Sequence, residues 1–480
     1  MLFNSFQFII FFPCVVILYW ILPAKLRNYM LLIASFYFDM NWQPEFGLLL
    51  AGAGVITWGG ARLIEYYADK PILAKRILST TIIILIAALF TFKYLSFFAD
   101  EVFGFLVRYG LAMDVPHFEI LLPVGISFFT FQALGYIIDV RRSTIRAEKS
   151  LLTVLLFLAF FPQLVAGPIE RAKDLLPQFK SRHIFDFSHL MAGLEMMALG
   201  YFMKLCVAES LSPYVDRVYD NLAVYSGLDI LLATFFFCFQ IFSDFGGYSL
   251  IAIGAARCMG FRLTQNFRQP YLATSVRDFW RRWHVSLSRW LSDYVYIPLG
   301  GNRVRPARHY FNIFITLFLS GVWHGADYTF FAWGAYHGSL QAAQAAWHKK
   351  SRFHLPKNLF TTILKILMTF FLVLLGRVFF RSGSIGDSMI AFRKIFTEHD
   401  SFHPGSKILF FERILMIVIL MAIECRHEWI ESRLGLPSGS LTAARSERSI
   451  YRSAFFLTFI ILLIVLFGNF NTSPFIYFNF

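Results

Sequence analysis

The sequence has few charged residues for its length. Asp, Glu, Lys and Arg make up 15% of its 480 residues, whereas hydrophobic residues make up 57%. An average soluble domain has about 25% charged residues, and the shortfall leaves too little polar surface for a water-soluble globule. The composition therefore excludes an ordinary soluble enzyme and indicates an integral membrane protein.

Cysteine is also scarce, and the motifs of several enzyme classes are missing. The five cysteines form no CxxC pair and lie in apolar surroundings, which predicts buried thiols and no disulfide framework or redox centre. There is no HExxH sequence and no close cluster of His and carboxylate residues, so we expect no bound metal. A phosphate-binding P-loop and a Gly-x-Ser-x-Gly elbow are absent as well.

Apolar stretches near the roughly 20 residues that cross a bilayer recur along the chain. They are residues 6–22, 46–64, 77–98, 120–138, 151–165, 187–207, 228–242, 310–322, 328–346, 359–380, 408–423 and 454–470. This pattern predicts an all-α polytopic membrane protein with about 11 transmembrane helices, plus re-entrant or interfacial helices. The first stretch has neither a basic flank nor a cleavage site, so we expect it to be a retained span. The polar connections are short, which predicts one membrane domain over residues 1–480.

The net charge of +14 is compatible in principle with a nucleic-acid partner. The Lys and Arg residues, however, fall in short segments between the apolar stretches, which is typical of the positive-inside rule. We therefore expect a multi-pass protein of the inner or plasma membrane, with the bilayer and not nucleic acid as its partner. Basic loops would lie in the cytoplasm, and an acidic segment at 100–119 would lie outside.

An amphipathic segment at residues 274–297 is the most unusual part of the sequence. With a period of 3.6 residues, Trp283 and other aromatic side chains fall on one face, four arginines fall on the other, and His284 lies at the boundary. This pattern predicts a helix at the membrane interface. Such residues anchor many membrane proteins without touching a substrate. Equally, Arg281 and Arg282 beside Trp283 would suit the phosphates of a nucleotide-bearing donor or a lipid headgroup.

The histidine that follows the apolar run 310–322 is the leading catalytic candidate. An ionisable group at membrane depth is costly unless it faces a cavity or a partner. The glycines around His324, Gly321 and Gly325, allow the helix to break and the imidazole to approach a ligand. Such an imidazole can act as a general base. His337, 13 residues further on, is predicted instead to be a hydrogen-bonded core histidine.

Other polar residues also stand in apolar surroundings, where they would complete a broken helix or line a polar tunnel. They are Asp139, Glu170, Lys204, Gln240, Asp244 and Asn266. Asp244 and Asn266 flank the 274–297 segment in sequence, which favours the tunnel. Sequence spacing alone does not establish that they meet.

Three motifs carry a resemblance to a known family. They are residues 278–284 (DFWRRWH), 294–303 (YVYIPLGGNR) and 321–325 (GVWHG). They resemble the membrane-bound O-acyltransferase family, in its bacterial branch of polysaccharide O-acetyltransferases related to D-alanyl transfer proteins. Shorter matches at residues 1–5, 123–128, 161–169 and 475–478 extend the resemblance over most of the chain.

The resemblance implies a helical fold around a central funnel or tunnel, with His324 as the catalytic histidine at its constriction and His284 near the reaction path. It implies transfer of an acetyl group from a cytoplasmic thioester, acetyl-CoA, to a hydroxyl destined for an extracytoplasmic polysaccharide. No permanently bound cofactor is expected. Arg281 and Arg282 would lie near the donor phosphates, with Trp283 and Asn266 as further donor-binding candidates. Asn266 and His284 are also candidates for stabilising the oxyanion.

The resemblance further implies a hydrolase-like partner outside the membrane that passes the acyl group to the glycan. Two alternatives remain open. A D-alanyl-transfer type of enzyme would take its acyl group from a carrier protein, and a transporter or flippase would also be a basic polytopic protein with buried polar groups. One departure concerns Tyr248 and Ser249, which relatives often follow with Asp but this chain follows with Leu250. No catalytic carboxylate is assigned there.

Overall fold

The structure, a computed structural model, describes residues 1–110, 121–165, 167–350, 356, 358–399, 402–433, 450–470 and 475. Over these residues the regular structure is helical and contains no strand, which confirms the all-α prediction. Part of the acidic segment, with Asp114 and Glu119, and most of the 475–478 motif lie outside the described residues.

The α-helices follow one another with short connections. They are α1 Phe6–Ile21, α2 Ala24–Met40, α3 Pro44–Tyr66, α4 Pro71–Lys93, α5 Leu95–Arg108, α6 Ile126–Arg141, α7 Leu151–Ala159, α8 Phe161–Leu164, α9 Ala172–Lys180, α10 Phe187–Tyr201, α11 Glu209–Tyr219, α12 Gly227–Cys258, α13 Val276–Arg282, α14 Val285–Leu291, α15 Pro306–His324, α16 Tyr328–Lys350, α17 Leu359–Arg381, α18 Ile385–Thr397, α19 Lys407–Arg433 and α20 Ile450–Phe467. Two π-helical segments, Phe202–Ala208 and Ser292–Tyr296, and a 3₁₀ turn at Pro270–Leu272 complete the set.

Among the described residues, five helical stretches are long and apolar enough to cross a membrane. They are α3, α4, the continuous helix Phe187–Tyr219, α12 and α17. The other apolar stretches form helices that are shorter, such as the 16-residue α1, or that carry more polar residues, such as α16. Length and composition do not decide whether those stretches cross the membrane, so the total of about 11 spans stays a prediction.

The chain divides into two compact units, residues 1–193 with 252–264 and residues 194–251 with 265–480. The single membrane domain therefore stays a prediction. The first unit has an aromatic core in which the ring of Phe38 lies 6.2 Å from that of Phe8 and 5.7 Å from that of Phe161. Its helices α3 and α4 meet at Gly60, where an added Cβ would lie 2.7 Å from Oγ1 of Thr81.

In the second unit, α15 and α16 form a tightly packed hairpin whose contact is made by glycines. A Cβ added at Gly321 would lie 2.4 Å from the carbonyl oxygen of Phe330, and one at Gly338 would lie 2.8 Å from that of Phe314. The backbones therefore approach as closely as in small-residue helix contacts of membrane proteins. This packing fixes the end of α15, where His324 lies.

The segment 274–297 is not one continuous helix, so the prediction of a single amphipathic helix is wrong. Helix α13 ends at Arg282, and His284 takes a left-handed φ of 41° before α14 begins. Trp280 and Trp283 are buried within the protein. At the break, His284, Val285 and Ser286 donate tertiary hydrogen bonds to Asn266, described below, and a local helical period cannot reveal these bonds. An interfacial location for the segment stays a prediction.

Candidate active site

His324 is the last residue of α15 and is enclosed by aromatic rings. Its imidazole is 2% exposed. Its ring centroid lies 5.0 Å from Trp323, 5.0 Å from Trp333 and 5.2 Å from Phe380, in each case edge to face. Gly325 follows, with a Cβ position only 2.4 Å from the Phe330 ring, so the chain leaves the helix in a space that only glycine fits. The surroundings exclude bulk water from the imidazole, as acyl transfer from a hydrolysable donor requires.

His284 is held by Asn266. The amide Oδ1 of Asn266 accepts hydrogen bonds from Ser286 Oγ at 2.7 Å, from Ser286 N at 3.3 Å and from Nδ1 of His284 at 3.3 Å. The Asn266 carbonyl accepts from Val285 N at 2.8 Å. Because Oδ1 receives a backbone N–H, the amide orientation is fixed and Nδ1 is assigned as the protonated nitrogen of His284.

The imidazole of His284 is 1% exposed, and this burial lowers its pKa to about 3. A neutral imidazole with Nδ1 protonated presents Nε2 as its basic nitrogen. The indole of Trp323 neighbours both histidines, with its ring 5.7 Å from that of His284 and 5.0 Å from that of His324. The Asn266 Nδ2 has no hydrogen-bond partner within the described chain, so the role of Asn266 at the donor stays a prediction.

His337 joins the same aromatic cluster. Its ring lies 4.9 Å from Trp333 and 5.2 Å from Trp280, so the α15–α16 hairpin brings His324 and His337 to one tryptophan. The Nδ1 of His337 has no hydrogen-bond partner among the described residues. The core position agrees with the prediction, whereas the predicted hydrogen bonding is not observed at this nitrogen.

A cavity of about 520 Å³, here called the acidic cavity, begins beside Gly325 and Phe380. The charged residues in its lining are Lys204, Glu209, Asp216, Asp244, Asp327 and Arg381. Four carboxylates against one lysine and one arginine leave an excess of two negative charges. Gln240, whose Oε1 has no hydrogen-bond partner in the described part of the chain, also lines it.

Lys204 organises the inner wall of the acidic cavity. Its Nζ lies 2.7 Å from Oε1 of Glu209 and 2.7 Å from Oδ1 of Asp244, and all three side chains are buried. Lys204 belongs to the π-helix Phe202–Ala208, and π-segments within helices are frequent at functional sites. The sequence singled out Lys204 and Asp244 as embedded polar residues. Glu209 was missed because it stands at the polar start of α11.

A second cavity of about 500 Å³, here called the basic cavity, reaches Ser320, one helical turn before His324. Its basic lining residues are Arg277, Arg281, His309 and His348. The described lining contains no carboxylate, and Trp280, Leu291 and Leu317 provide apolar walls. The π-helix Ser292–Tyr296 contributes both of its end residues.

Arg281 and Arg282 are separated by the structure. Arg281 lines the basic cavity, whereas Arg282 forms a fork with Glu428, Nη1 to Oε2 at 2.9 Å and Nη2 to Oε1 at 3.0 Å. Its Nε also donates to Asp278 at 3.1 Å. Two carboxylates thus already pair with Arg282, and the donor-phosphate role of either arginine stays a prediction. Trp283 faces the interior, where it stacks with Phe279 at 5.5 Å.

The described residues contain no group of three or more His, Cys, Asp or Glu side chains arranged to hold a metal ion. Next to the buried imidazole of His324 in the chain, Ser320 lines the basic cavity and Gly325 lines the acidic cavity.

Comparison with known proteins identifies the family. The model of the membrane-bound O-acyltransferase family matches residues 140–381. A probable alginate O-acetylase of Pseudomonas aeruginosa is 39% identical over 388 residues, which cover 80% of this chain and 73% of that protein. The peptidoglycan O-acetyltransferase of Helicobacter pylori is 33% identical over 428 residues, 81% of this chain and 78% of that protein. The teichoic acid D-alanyltransferase of Bacillus subtilis is 30% identical over 275 residues, which cover 54% of this chain and 69% of that protein.

The family match, residues 140–381, includes His284, His324 and the charged residues that line both cavities. The relatives transfer acyl groups by name, and the role of His324 as a base stays a prediction. The chain belongs to the membrane-bound O-acyltransferase family and is a multi-pass membrane O-acyltransferase.

Proposed function

We propose that the protein transfers an acetyl group from acetyl-CoA, on the cytoplasmic side of the inner or plasma membrane, to a hydroxyl destined for a polysaccharide outside. The observation that carries this proposal is that His324 stands in the chain between residues that line two cavities of opposite charge. The basic cavity reaches Ser320 and the acidic cavity reaches Gly325, on either side of the imidazole along the chain. The names of the relatives, O-acetylases of alginate and of peptidoglycan, support acetyl as the group transferred.

The basic cavity suits the donor. Arg277 and Arg281 are exposed at its edge, and guanidinium groups bind phosphates through paired N–H donors. The apolar walls formed by Trp280 and Leu317 suit the uncharged arm that carries a thioester. A nucleotide-bearing thioester would thus place its phosphates at the arginines and its acyl group toward His324.

The acidic cavity suits the acceptor. Its two excess negative charges disfavour an anionic acceptor and favour a neutral hydroxyl. A volume of about 520 Å³ is typical for a small-molecule site and too small for a polymer segment of many sugars. This size supports relay of the acetyl group through a hydroxyl of a hydrolase-like partner outside the membrane.

In the proposed reaction, His324 removes the proton from the acceptor hydroxyl as its oxygen attacks the thioester carbonyl carbon. The carbon–sulfur bond then breaks, and the thiolate takes the proton from the imidazolium. General base catalysis of this kind contributes about 10²- to 10⁴-fold in rate. The rings of Trp323, Trp333 and Phe380 exclude the water that would otherwise hydrolyse the donor.

A second donor class is favoured by one observation. The teichoic acid D-alanyltransferase of Bacillus subtilis is similar over about half of this chain, and an acyl group bearing an ammonium would suit a cavity with excess carboxylates. In that case the thioester would arrive on a carrier protein. The arginines of the basic cavity would then contact the carrier's phosphopantetheine.

The test is cleavage of labelled acetyl-CoA by protein purified into lipid, together with the acetyl ester content of envelope polysaccharides in cells that express it. We expect H324A to lower transfer about 10²- to 10⁴-fold at equal protein level. The control H399A, at an exposed histidine that follows the end of α18, should keep wild-type transfer. Normal transfer by H324A would overturn the role of His324. Absence of acetyl-CoA cleavage, with acyl transfer from a loaded carrier protein, would favour the second donor class.

A further inference from the structure

Arg377 is a buried cation in the middle of the aromatic cluster. It belongs to α17, is 1% exposed, and its Cζ lies 4.3 Å from the ring centroid of Trp283 and 5.7 Å from that of Phe380. Its Nε and Nη2 are enclosed and have no hydrogen-bond partner within the described residues. Stacking on the two rings stabilises the charge in part but leaves these N–H donors unsatisfied.

Other buried cations of this unit are matched by protein groups. Lys204 bridges two carboxylates, and Arg413 donates from Nε to the Ser210 carbonyl at 2.8 Å. A buried charge or donor without a partner is costly, and proteins rarely keep one. The unsatisfied donors of Arg377 therefore indicate that its hydrogen-bond partner is an anionic or polar group of the substrate.

The position of Arg377 indicates which group of the substrate would accept its hydrogen bonds. Phe380 contacts both groups, since its ring lies 5.2 Å from that of His324 and 5.7 Å from Cζ of Arg377. The guanidinium and the imidazole of His324 thus both lie beside the Phe380 ring. The phosphates of the donor would remain at Arg277 and Arg281, which are exposed. Near His324, the group that becomes negative during the reaction is the carbonyl oxygen of the thioester.

We propose that Arg377 is a catalytic residue that donates N–H hydrogen bonds to this oxygen and stabilises the oxyanion of the tetrahedral intermediate. The inference rests on the proposed function. The acceptor oxygen loses its proton to His324 and bonds to the carbonyl carbon, while the π-electron pair of the carbonyl moves to its oxygen beside Arg377. When this pair returns, the carbon–sulfur bond breaks and the thiolate leaves with the proton from His324. Atoms and charge balance without a further reactant.

The experiment compares two CoA analogues. A thioether analogue lacks the carbonyl of the thioester. A trifluoromethyl ketone analogue of acetyl-CoA has a ketone carbon that a hydroxyl group attacks, and the resulting adduct mimics the oxyanion. In lipid-reconstituted protein, R377M should lose about 10²- to 10³-fold in kcat, the effect of removing one oxyanion donor. Affinity for the ketone analogue should fall by a similar factor, and affinity for the thioether analogue should stay within about threefold. R377K should be intermediate, because lysine keeps the charge without the planar fork.

R413M is the matched control, since it removes another buried arginine of the same unit that lines neither cavity. We expect it to keep kcat within a few-fold and to bind both analogues as the wild type does. If R377M weakened both analogues in parallel, Arg377 would serve donor binding or packing and the proposal would be wrong. If R377M did not accumulate as folded protein, the R377K variant would test the proposal in its place. A wild-type kcat in R377K, together with unchanged affinity for the ketone analogue, would also overturn the proposal.

Two results distinguish failure of the proposed acetyl-CoA donor from failure of the Arg377 assignment. A wild-type protein that neither cleaves acetyl-CoA nor binds the thioether analogue would overturn the proposed donor, and the Arg377 assignment with it. A wild-type protein that turns over acetyl-CoA, with an R377M variant of equal kcat, would overturn the Arg377 assignment alone.

Discussion

The Oδ1 of Asn266 accepts a hydrogen bond from Nδ1 of His284 at 3.3 Å, and this contact joins two segments 18 residues apart in sequence. The same oxygen accepts hydrogen bonds from Ser286, so one amide holds His284 at the break and the first turn of α14. His284 consequently has a left-handed φ of 41° in a buried position. We expect the backbone conformation of His284 to affect stability and its imidazole to affect activity, and substitutions can distinguish these two contributions.

Glycine and alanine at position 284 should differ in stability but not in activity. Both remove the imidazole, but glycine adopts positive φ freely, whereas a side chain in this region costs roughly 1–2 kcal/mol. We expect H284G to unfold at a higher temperature than H284A, and both to lose acetyl transfer to the same extent. Thermal unfolding in detergent and labelled acetyl transfer measure the two effects. Wild-type transfer by H284G would show that only the backbone at this position matters.

Protonation of His284 should make the stability depend on pH. Burial lowers its pKa to about 3, whereas an unfolded histidine titrates near 6.5. Between these values the unfolded chain binds a proton that the folded chain does not, so the free energy of unfolding falls as the pH falls from about 6.5 toward 3. One such proton gives a slope of up to about 1.4 kcal/mol per pH unit.

The variant H284N tests this pH dependence, because asparagine tolerates positive φ and does not titrate. The unfolding temperature should depend less on pH between 4 and 6.5 in H284N than in the wild type. H399N serves as the control, since His399 is exposed, and it should leave the slope unchanged. Identical slopes in H284N and the wild type would contradict the assignment of the proton to His284.

The sequence predicted some parts of this site and missed others for identifiable reasons. His324 was found because a polar residue between glycines interrupts an apolar run, a local signal. The break at His284 was missed because no Pro or Gly marks it, and its cause, Asn266, is remote in sequence. The shared contact of His324 and His337 with Trp333 also depends on pairing of two helices. Arg377 had a local signal that was overlooked, a lone arginine inside an apolar span.

Composition predicts the fold class directly, whereas it does not predict the shape of the site. Hydropathy predicts helices because a bilayer requires every backbone group to be satisfied within its own segment. The charge difference between the two cavities depends instead on side chains from α11, α12, α13 and α17 meeting in space. Nothing in the sequence of Arg281 and Arg282 indicates that Glu428 pairs with one and not with the other.

Removing the lysine of the buried ion cluster should destabilise the protein strongly. In K204M, the carboxylates of Glu209 and Asp244 would remain buried without the ammonium that lies 2.7 Å from each. Breaking such a group from one side costs about 3–5 kcal/mol. Adding D244N to K204M should recover part of the loss, because one buried charge disappears.

The matched control for the ion cluster is K394M. Lys394 is also buried, but its Nζ donates mainly to the carbonyls of Ala223 and Tyr225. We expect a loss of only about 1–3 kcal/mol there, the cost of unpaired acceptors. Unfolding of both variants in detergent gives the comparison. Equal losses in K204M and K394M would mean that the two carboxylates are not held by Lys204.

Two adjacent arginines should give opposite phenotypes. Arg281 is exposed at the basic cavity, so R281A should raise KM for acetyl-CoA about 5- to 30-fold with little change in kcat, equivalent to about 1–2 kcal/mol of lost binding. The effect should shrink as salt is added, since exposed charges are screened. R282A should leave KM near the wild-type value but lower the unfolding temperature, because Glu428 and Asp278 lose their common partner. Kinetics at two salt concentrations and thermal unfolding distinguish the two. A raised KM in R282A with unchanged stability would place the donor phosphates at Arg282 instead.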